Sequence, residues 1–314
     1  MAEGKFNENT RVQVPAALHL VRLGYKYLSH IDTDDYNEDS NILTKVFMRS
    51  VRRINPDVSE QEAQALLTDI IRILANDDLG REFYAKLSSI SGIKLVDFAN
   101  LDNNEWHVTT EFTCEDKESG DNFRPDITCF VNGLPLAFIE VKKPNNAEGI
   151  LAEKDRIETR MKNKRFRRFI NITQLMVFSN NQEYDHERIV PIQGAFYATT
   201  SRDKVFFNVF READPELYVS VIKNGNDKLT EEDERIVLTH RNCLPIKGSP
   251  EYITNLAYNT PTNRILTSLL SKKRFLYLLR YGIAYVDRQI ELASGERSPG
   301  WRSTSCGTSN SLLP

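Results

Sequence analysis

The chain has 314 residues, enough for one large or two ordinary domains with a sizeable core. Hydrophobic residues make up 40% and charged residues 27%, no apolar run approaches the length a bilayer needs, and the opening MAEGKFNENT lacks a secretory pattern. A cytoplasmic protein without a membrane partner is therefore expected, and its net charge of −3 does not by itself advertise an anionic polymer as ligand.

The first hundred residues read as mostly helical. Residues 12–27 are rich in Ala and Leu with scattered basic positions, and residues 41–51 alternate at helical spacing. Ser59-Glu60-Gln61-Glu62 has the form of a capping box, and Leu66, Leu67, Ile70, Ile71 and Leu74 then mark one apolar face. Asp77, Asp78 and Gly80 end that helix, and a short helix is predicted over 81–87. The pattern changes near Asn103. Residues 106–112 are β-branched and aromatic and predict a strand, and 114–122 a polar loop. Two apolar runs follow, 127–131 and 136–141, separated by Asn132-Gly133, a strong hairpin signal.

A helix is predicted over 147–162, a buried strand over 174–178, and a second hairpin from 195–200 and 205–210. Helices return from Thr230, including the apolar stretch 265–279. From Ser294 to Pro314 all periodicity is lost in favour of Ser, Gly, Thr and Arg, which predicts a disordered or non-native tail. The resulting division is a helical segment at 1–100, a core at 101–229, a helical connector at 230–293 and the tail at 294–314. Cys114, Cys129, Cys243 and Cys306 are far apart, which predicts reduced thiols rather than a zinc site. His107, His186 and His240 are isolated and read as packed or surface residues. Tyr277, Tyr281 and Tyr285 recur at helical spacing and read as a packing stripe.

The chemistry concentrates in the first hairpin. Asp126 opens one strand and Glu140-Val141-Lys142 closes the other, so charged groups sit at the rim of apolar strands, where they are costly unless paired or bound to a cation. Glu140 and Lys142 are two apart and share a face. A strict two-residue turn would pair Asp126 with Ile139 and point it to the opposite face. A three-residue loop, Val131-Asn132-Gly133, would bring it to Glu140's side, and Pro135 is compatible with such an irregular turn. A cooperative site is therefore expected to need the odd loop. Two carboxylates without an imidazole form a hard oxygen site suited to Mg²⁺ or Mn²⁺. Lys142 adds a charge able to orient water or stabilise phosphorus in flight, so in-line phosphodiester hydrolysis is implied. An Asp–Lys salt bridge at a strand end is the plainer alternative. Downstream, Lys154, Arg156, Arg160, Lys162, Lys164, Arg165, Arg167 and Arg168 stand against Asp155 and Glu158. Such a local basic segment suits phosphate contact; a solvated helix face is the alternative.

At Pro125-Asp126 and Glu140-Val141-Lys142 the sequence resembles the PD-(D/E)xK nuclease superfamily. More narrowly, RPDITCFVNGLPLAFIEVKKPNN and the later FRRFINITQLMVFSNNQEYD resemble the N-terminal region of type I restriction enzyme R (motor and nuclease) subunits, from about Asn7 to Leu292. The resemblance implies an α/β (mixed α+β) restriction-endonuclease-like core, a mixed sheet flanked by helices, with helical additions at both ends. It implies a type I site-specific deoxyribonuclease whose catalytic residues are Asp126, Glu140 and Lys142. Asp126, Glu140 and the Val141 carbonyl would bind Mg²⁺ or Mn²⁺, and Lys143, Arg156, Arg160, Lys164, Arg165, Arg167 and Arg168 would contact double-stranded DNA. The further acid that many relatives carry on the first core helix would fall near Gln13, which is not acidic. The helix after Lys142 lacks the Gln-x-x-x-Tyr motif of some relatives, leaving DNA positioning to residues such as Arg156 and Arg160. No GxxxxGK[ST] loop occurs, so ATP would bind only in the full-length subunit, beyond a chain expected to be truncated before its translocase. Modification and specificity subunits are the implied partners. Two competing readings are a catalytically inactive DNA-binding or assembly module, and a stand-alone repair nuclease.

Overall fold

A computed structural model describes residues 7–115, 120, 122–144, 149–184, 187, 192–200, 204–211, 216, 229–291 and 297–305. Its centre is a seven-stranded mixed sheet. In chain order the strands are β1 (Lys26–Tyr27), β4 (Trp106–Thr110), β5 (Ile127–Val131), β6 (Leu134–Val141), β7 (Leu175–Ser179), β8 (Ala195–Ala198) and β9 (Asn208–Val209), and they lie side by side in that order. The pairs β1–β4 and β6–β7 are parallel and the others antiparallel. Two short strands between β1 and β4, β2 (Tyr36–Asn37) and β3 (Ile42–Leu43), form a separate ribbon. Every residue of β4 to β8 is buried, as strands covered on both faces must be.

The helices follow from local signals in most places. On α3 (Glu60–Ile73) the predicted capping box is complete: the Glu62 N–H donates to Ser59 Oγ at 3.2 Å and the Ser59 N–H to Glu62 Oε2 at 2.9 Å. The short helix α4 (Arg81–Leu87) has the predicted bounds. Between 12 and 27, however, the chain is not one helix. A π-turn (Asn9–Gln13) leads into α1 (Val14–Arg22), which stops where Gly24 adopts φ 93°, and Lys26–Tyr27 then pairs with β4. Likewise α2 (Thr44–Ile54) starts three residues later than expected, because Ile42–Leu43 is strand.

Between β6 and β7 lie α5 (Gly149–Lys162) and α6 (Arg167–Ile172), the crossover that a parallel strand pair requires. Residues 147 and 148 of the predicted helix lie outside the described residues. After β9 come α7 (Glu231–His240), α8 (Pro250–Asn255), α9 (Pro261–Leu270) and α10 (Lys272–Tyr277). Buried α1 packs against β4 on one side and against α7 and α9 on others, so the helices from the two ends of the chain close over one face of the sheet.

Residues Ile283–Glu291 and Arg297–Ser305 pair antiparallel as β10 and β11, so the described part of the predicted tail is extended and hydrogen-bonded. Tyr285 accordingly sits on a strand, its hydroxyl donating to the Leu79 carbonyl at 3.0 Å. Only Tyr277 and Tyr281 remain in helical register, with ring centroids 4.9 Å apart.

The β5–β6 hairpin fixes the register on which the site depends. Asn132 (φ 52°) and Gly133 (φ 80°) form a two-residue turn with both dihedrals positive, and Val131 pairs with Leu134. The buried Asn132 side chain is fully used: it donates to the Leu95 carbonyl and Asn104 Oδ1 and accepts from the Glu105 N–H. A Cβ on Gly133 would meet the Leu43 carbonyl oxygen at 2.6 Å and the Phe47 nitrogen at 2.8 Å.

The three-residue loop expected from the sequence is therefore not formed. The odd residue sits inside β6 instead. Phe130 pairs with Pro135 and Cys129 with Ala137, leaving Leu136 as a β-bulge whose carbonyl accepts from the Gln174 N–H at 2.8 Å. Pro135 has no N–H to donate, which suits a broken ladder at that point. From the bulge onward the register is shifted by one: Ile127 pairs with Ile139, and Asp126 comes opposite Glu140.

Candidate active site

Asp126 and Glu140 end adjacent antiparallel strands on the face that carries Phe138 and looks toward α5 and α6. That face is apolar below the carboxylates. Phe138 lies 5.4 Å from Phe123 and 6.1 Å from Phe169, ring centroid to centroid, so the site rests on a packed aromatic floor. Asp126 Oδ2 accepts from the Val141 N–H at 2.8 Å, and the Gln13 amide donates to the Asp126 carbonyl at 2.9 Å and reaches Oδ1 at 3.4 Å. Glu140 is only 4% exposed, lies within hydrogen-bonding reach of Asp126, and keeps one oxygen, Oε1, buried without a hydrogen-bond partner. An orphaned carboxylate oxygen at that depth is costly and calls for a cation or a proton.

Lys142 reaches into the same group of oxygens. Its ammonium donates to the Val141 carbonyl at 2.9 Å and stands 3.4 Å from Glu153 Oε2, 3.5 Å from Glu8 Oε1 and 3.9 Å from Asp126 Oδ2. Glu8 and Glu153 are the functional candidates that sequence reasoning missed. Glu8 precedes the first helix by one turn from Gln13 and also accepts from the Lys143 N–H at 3.2 Å. Gln13 itself, at the position expected for an acid, supports Asp126 instead. Glu153 was legible in principle: with Ile150 and Ile157 it shares the buried face of α5, an acid on an apolar stripe.

The electrostatics follow from burial. Asp126 is pushed up to about 6 by burial first, with the Lys142 charge and the Val141 N–H opposing and Glu8 adding to the rise. Glu140 is raised well above the ordinary carboxylate range, by burial first and then by the charges of Asp126 and Glu153. Burial alone would depress the Lys142 ammonium, but the charges of Asp126, Glu153, Glu8 and Glu140 outweigh it and hold its pKa above the usual lysine value.

The sequence-predicted basic residues divide. Arg156 and Arg160 line the cleft of about 420 Å³ that opens over Asp126, Glu140 and Lys142, and both pair with Glu153, at 3.0 and 3.6 Å. The Arg160 guanidinium also stacks over the Phe123 ring at 4.7 Å. Arg124, on the strand approach, lines the same cleft. Lys143, Lys164 and Arg165 are exposed. Arg167 and Arg168 are not brought to the cleft. Arg168 bonds to the Ile71 carbonyl and Asp39, and Arg167 to the Ala75 carbonyl and Asp77, tying α6 to the N-terminal helices.

A slightly larger cleft of about 470 Å³ lies between Arg22, Tyr252 and Leu256, but its one carboxylate, Glu234, is taken up by Lys247 and Tyr252. Three of the cysteines are buried free thiols, and Cys306 lies outside the described residues. His107 is buried and its pKa is lowered to about 4, chiefly by burial. His240 bonds to the Tyr27 hydroxyl, and His186 lies outside the described residues.

Among the described residues, no three Asp, Glu, His or Cys side chains are gathered closely enough to hold an ion by themselves. A hard cation here would complete its shell with backbone oxygen and water, as Mg²⁺ commonly does. The orphaned Glu140 oxygen beside Asp126 fits that use. No helix among the described residues is long and apolar enough to cross a membrane.

Comparison with known proteins points the same way as the hairpin. A family model described as the type I restriction enzyme R protein N terminus matches residues 5–186. A putative type I restriction enzyme MjaIXP endonuclease subunit of Methanocaldococcus jannaschii is 30% identical over 203 residues, covering 57% of this chain and 19% of that protein. The type I restriction enzyme HindI endonuclease subunit of Haemophilus influenzae is 25% identical over 122 residues, 33% of this chain and 11% of that protein. The chain thus matches about a fifth or less of the length of these relatives. With the family match extending over more than half of its residues, the chain belongs to the family of type I restriction enzyme R protein N termini.

Proposed function

We propose that this chain is the metal-dependent DNA endonuclease region of a cytoplasmic type I restriction enzyme, acting on double-stranded DNA beside modification and specificity subunits. Translocation and ATP binding would belong to the rest of a full-length subunit. The observation that carries the reading is the bulged register, which sets Asp126 opposite Glu140 with a buried carboxylate oxygen left without a partner. Asp126, Glu140 and the Val141 carbonyl would hold Mg²⁺ or Mn²⁺. When bound, the ion supplies Lewis-acid activation of water and charge stabilisation at the scissile phosphate.

The chain's own residues do the rest. Lys142 orients the attacking water and balances charge that develops on phosphorus, because its ammonium is held at the cleft by four neighbouring oxygens. The Gln13 amide and the Val141 N–H keep the Asp126 carboxylate aimed. Arg124, Arg156 and Arg160 offer phosphate contacts beside the site, with Glu153 holding the last two in place until DNA arrives. In the assembled enzyme with Mg²⁺ and ATP, Asp126→Ala is expected to abolish DNA cleavage while ATP hydrolysis persists. Retained cleavage would remove Asp126 from the mechanism.

The arginines make a separate expectation. A nuclease that leaves sequence choice to a partner needs contacts that ignore sequence. Replacing Arg156 and Arg160 together by Ala should weaken DNA binding equally for unrelated sequences and flatten the log–log salt slope by about one to two units. An unchanged slope in a folded variant would assign both arginines to Glu153 alone.

A further inference from the structure

Asp126 is held from behind as well as from the cleft. Its main-chain carbonyl accepts two hydrogen bonds, from the Gln13 amide at 2.9 Å and from the Glu111 N–H at 3.0 Å. Glu111 lies just past the end of β4 with φ 54°, a left-handed conformation that an ordinary residue adopts only when its surroundings demand it. Both supports are gripped by one side chain. Arg241 Nη2 donates to Gln13 Oε1 at 2.9 Å and to Glu111 Oε1 at 2.5 Å, and its Nε and Nη2 both donate to Asn9 Oδ1 at 3.1 Å.

The chemistry of that grip is directional. A guanidinium can only donate, so it takes the oxygen of the Gln13 amide and leaves the NH₂ facing Asp126. An amide turned the other way would present oxygen to the Asp126 carboxylate and carbonyl. Arg241 thereby decides whether Gln13 supports or repels the carboxylate. The arginine is itself well placed. Its side chain is only 12% exposed, and α7 ends beside it in a tight turn with Asn242 at φ 54° and the Cys243 N–H on the Leu238 carbonyl at 2.7 Å. Its neighbour His240 meets the Tyr27 hydroxyl at 2.7 Å, and that hydroxyl meets Thr110 Oγ1 at 2.7 Å, so two consecutive residues brace the end of β4.

We propose that Arg241 is a positioning residue for the cation site: through Gln13 and Glu111 it sets the aim of Asp126, and it makes divalent-ion affinity depend on the seating of the helix at 231–240. The proposal rests on the reading of Asp126 and Glu140 as cation ligands. Partners that orient a ligand without touching the ion typically alter metal affinity by ten- to a hundredfold.

The test titrates the full chain with Mn²⁺ by calorimetry, and compares its melting temperature in chelator and in Mn²⁺, for Arg241→Ala, Gln13→Ala, the double variant and Arg241→Lys. Arg241→Ala is expected to weaken Mn²⁺ binding about tenfold or more and to shrink the ion-induced rise in melting temperature. The double variant should bind no more weakly than the worse single one, because both act through one contact. Arg241→Lys, which keeps a donor for the amide oxygen, should recover part of the loss. A purely structural tie would lower the melting temperature in chelator and leave the ion-induced rise unchanged; that result overturns the proposal, as does an additive loss in the double variant. If Arg241→Ala does not fold, wild-type affinity in both Gln13→Ala and Arg241→Lys overturns it equally. A folded wild-type chain that binds no Mn²⁺ would instead sink the ligand assignment of Asp126 and Glu140, and this proposal with it.

Discussion

Lys142→Ala is expected to reduce DNA cleavage in the assembled enzyme by roughly 10²–10³-fold, the usual effect of removing one preorganised charge from a transition state. DNA affinity and cooperative unfolding should survive. Lys142 stands at the end of β6, outside the aromatic floor, and its neighbours have other partners. Glu153 keeps Arg156 and Arg160, Glu8 keeps the Lys143 N–H, and Asp126 keeps the Val141 N–H. What disappears is the one ammonium placed among those carboxylates, so the loss should appear in the rate of the chemical step rather than in binding. Single-turnover cleavage and a denaturant titration on the same preparation separate the cases. A variant that cleaves normally would reduce Lys142 to a salt-bridge residue. One that no longer unfolds cooperatively would make it structural.

The reach of the sequence here was set by how local each interaction is. Asp126, Glu140 and Lys142 were legible because their contrast with apolar strands and their two-residue spacing are local facts. So were the Ser59–Glu62 box and the α4 bounds. The need for one odd residue between Asp126 and Glu140 was legible as well, since the side-chain period of a strand is two. Its location was not. Asn132-Gly133 keeps its ordinary two-residue turn, and the extra residue moved to Leu136, whose carbonyl is taken by Gln174 on the far side of the crossover.

Contacts of long sequence separation account for the other gaps. Glu8 and Arg241 approach the site only once the two ends of the chain pack around α1. The run from Lys154 to Arg168 reads as one basic segment, yet α5 aims Arg156 and Arg160 at the cleft while α6 turns Arg167 and Arg168 onto residues 39 and 71–77. Charge spacing alone does not report that change of direction. The sequence from Ser294 on lacks periodicity, and the described part of it is strand only by pairing with β10.

In chelator, the stability of the folded chain is expected to fall as pH rises from about 4 through 6 and above, and Glu140→Gln should remove the share of that fall that Glu140 itself contributes. A carboxyl that binds its proton more tightly in the folded than in the unfolded state contributes stability that is complete below its unfolded value and is lost as pH rises through its folded value. Asp126 is such a group, moved from 3.8 to about 6, with burial the leading cause. A displacement of that size corresponds to on the order of 3 kcal/mol, lost between about pH 4 and 6. Glu140 is raised in the same direction by burial and by its neighbours Asp126 and Glu153, which Lys142 and Arg160 only partly offset. At pH 8 the two carboxylates are forced toward a shared negative charge with one oxygen buried and unpaired, so a neutral amide at position 140 should raise the melting temperature there. Residues kept for chemistry at the expense of folding behave in this way. Mg²⁺ or Mn²⁺ should restore the wild-type chain at pH 8 by supplying the missing positive charge, and should do far less for Glu140→Gln, which lacks the anionic ligand. Thermal melts across this pH range, with and without the ion, decide the matter. Wild-type stability that climbs between pH 5 and 8 in chelator, or a Glu140→Gln chain that melts earlier than wild type at pH 8, would mean that Glu140 is stabilised as an anion by the fold itself and is not waiting for a cation.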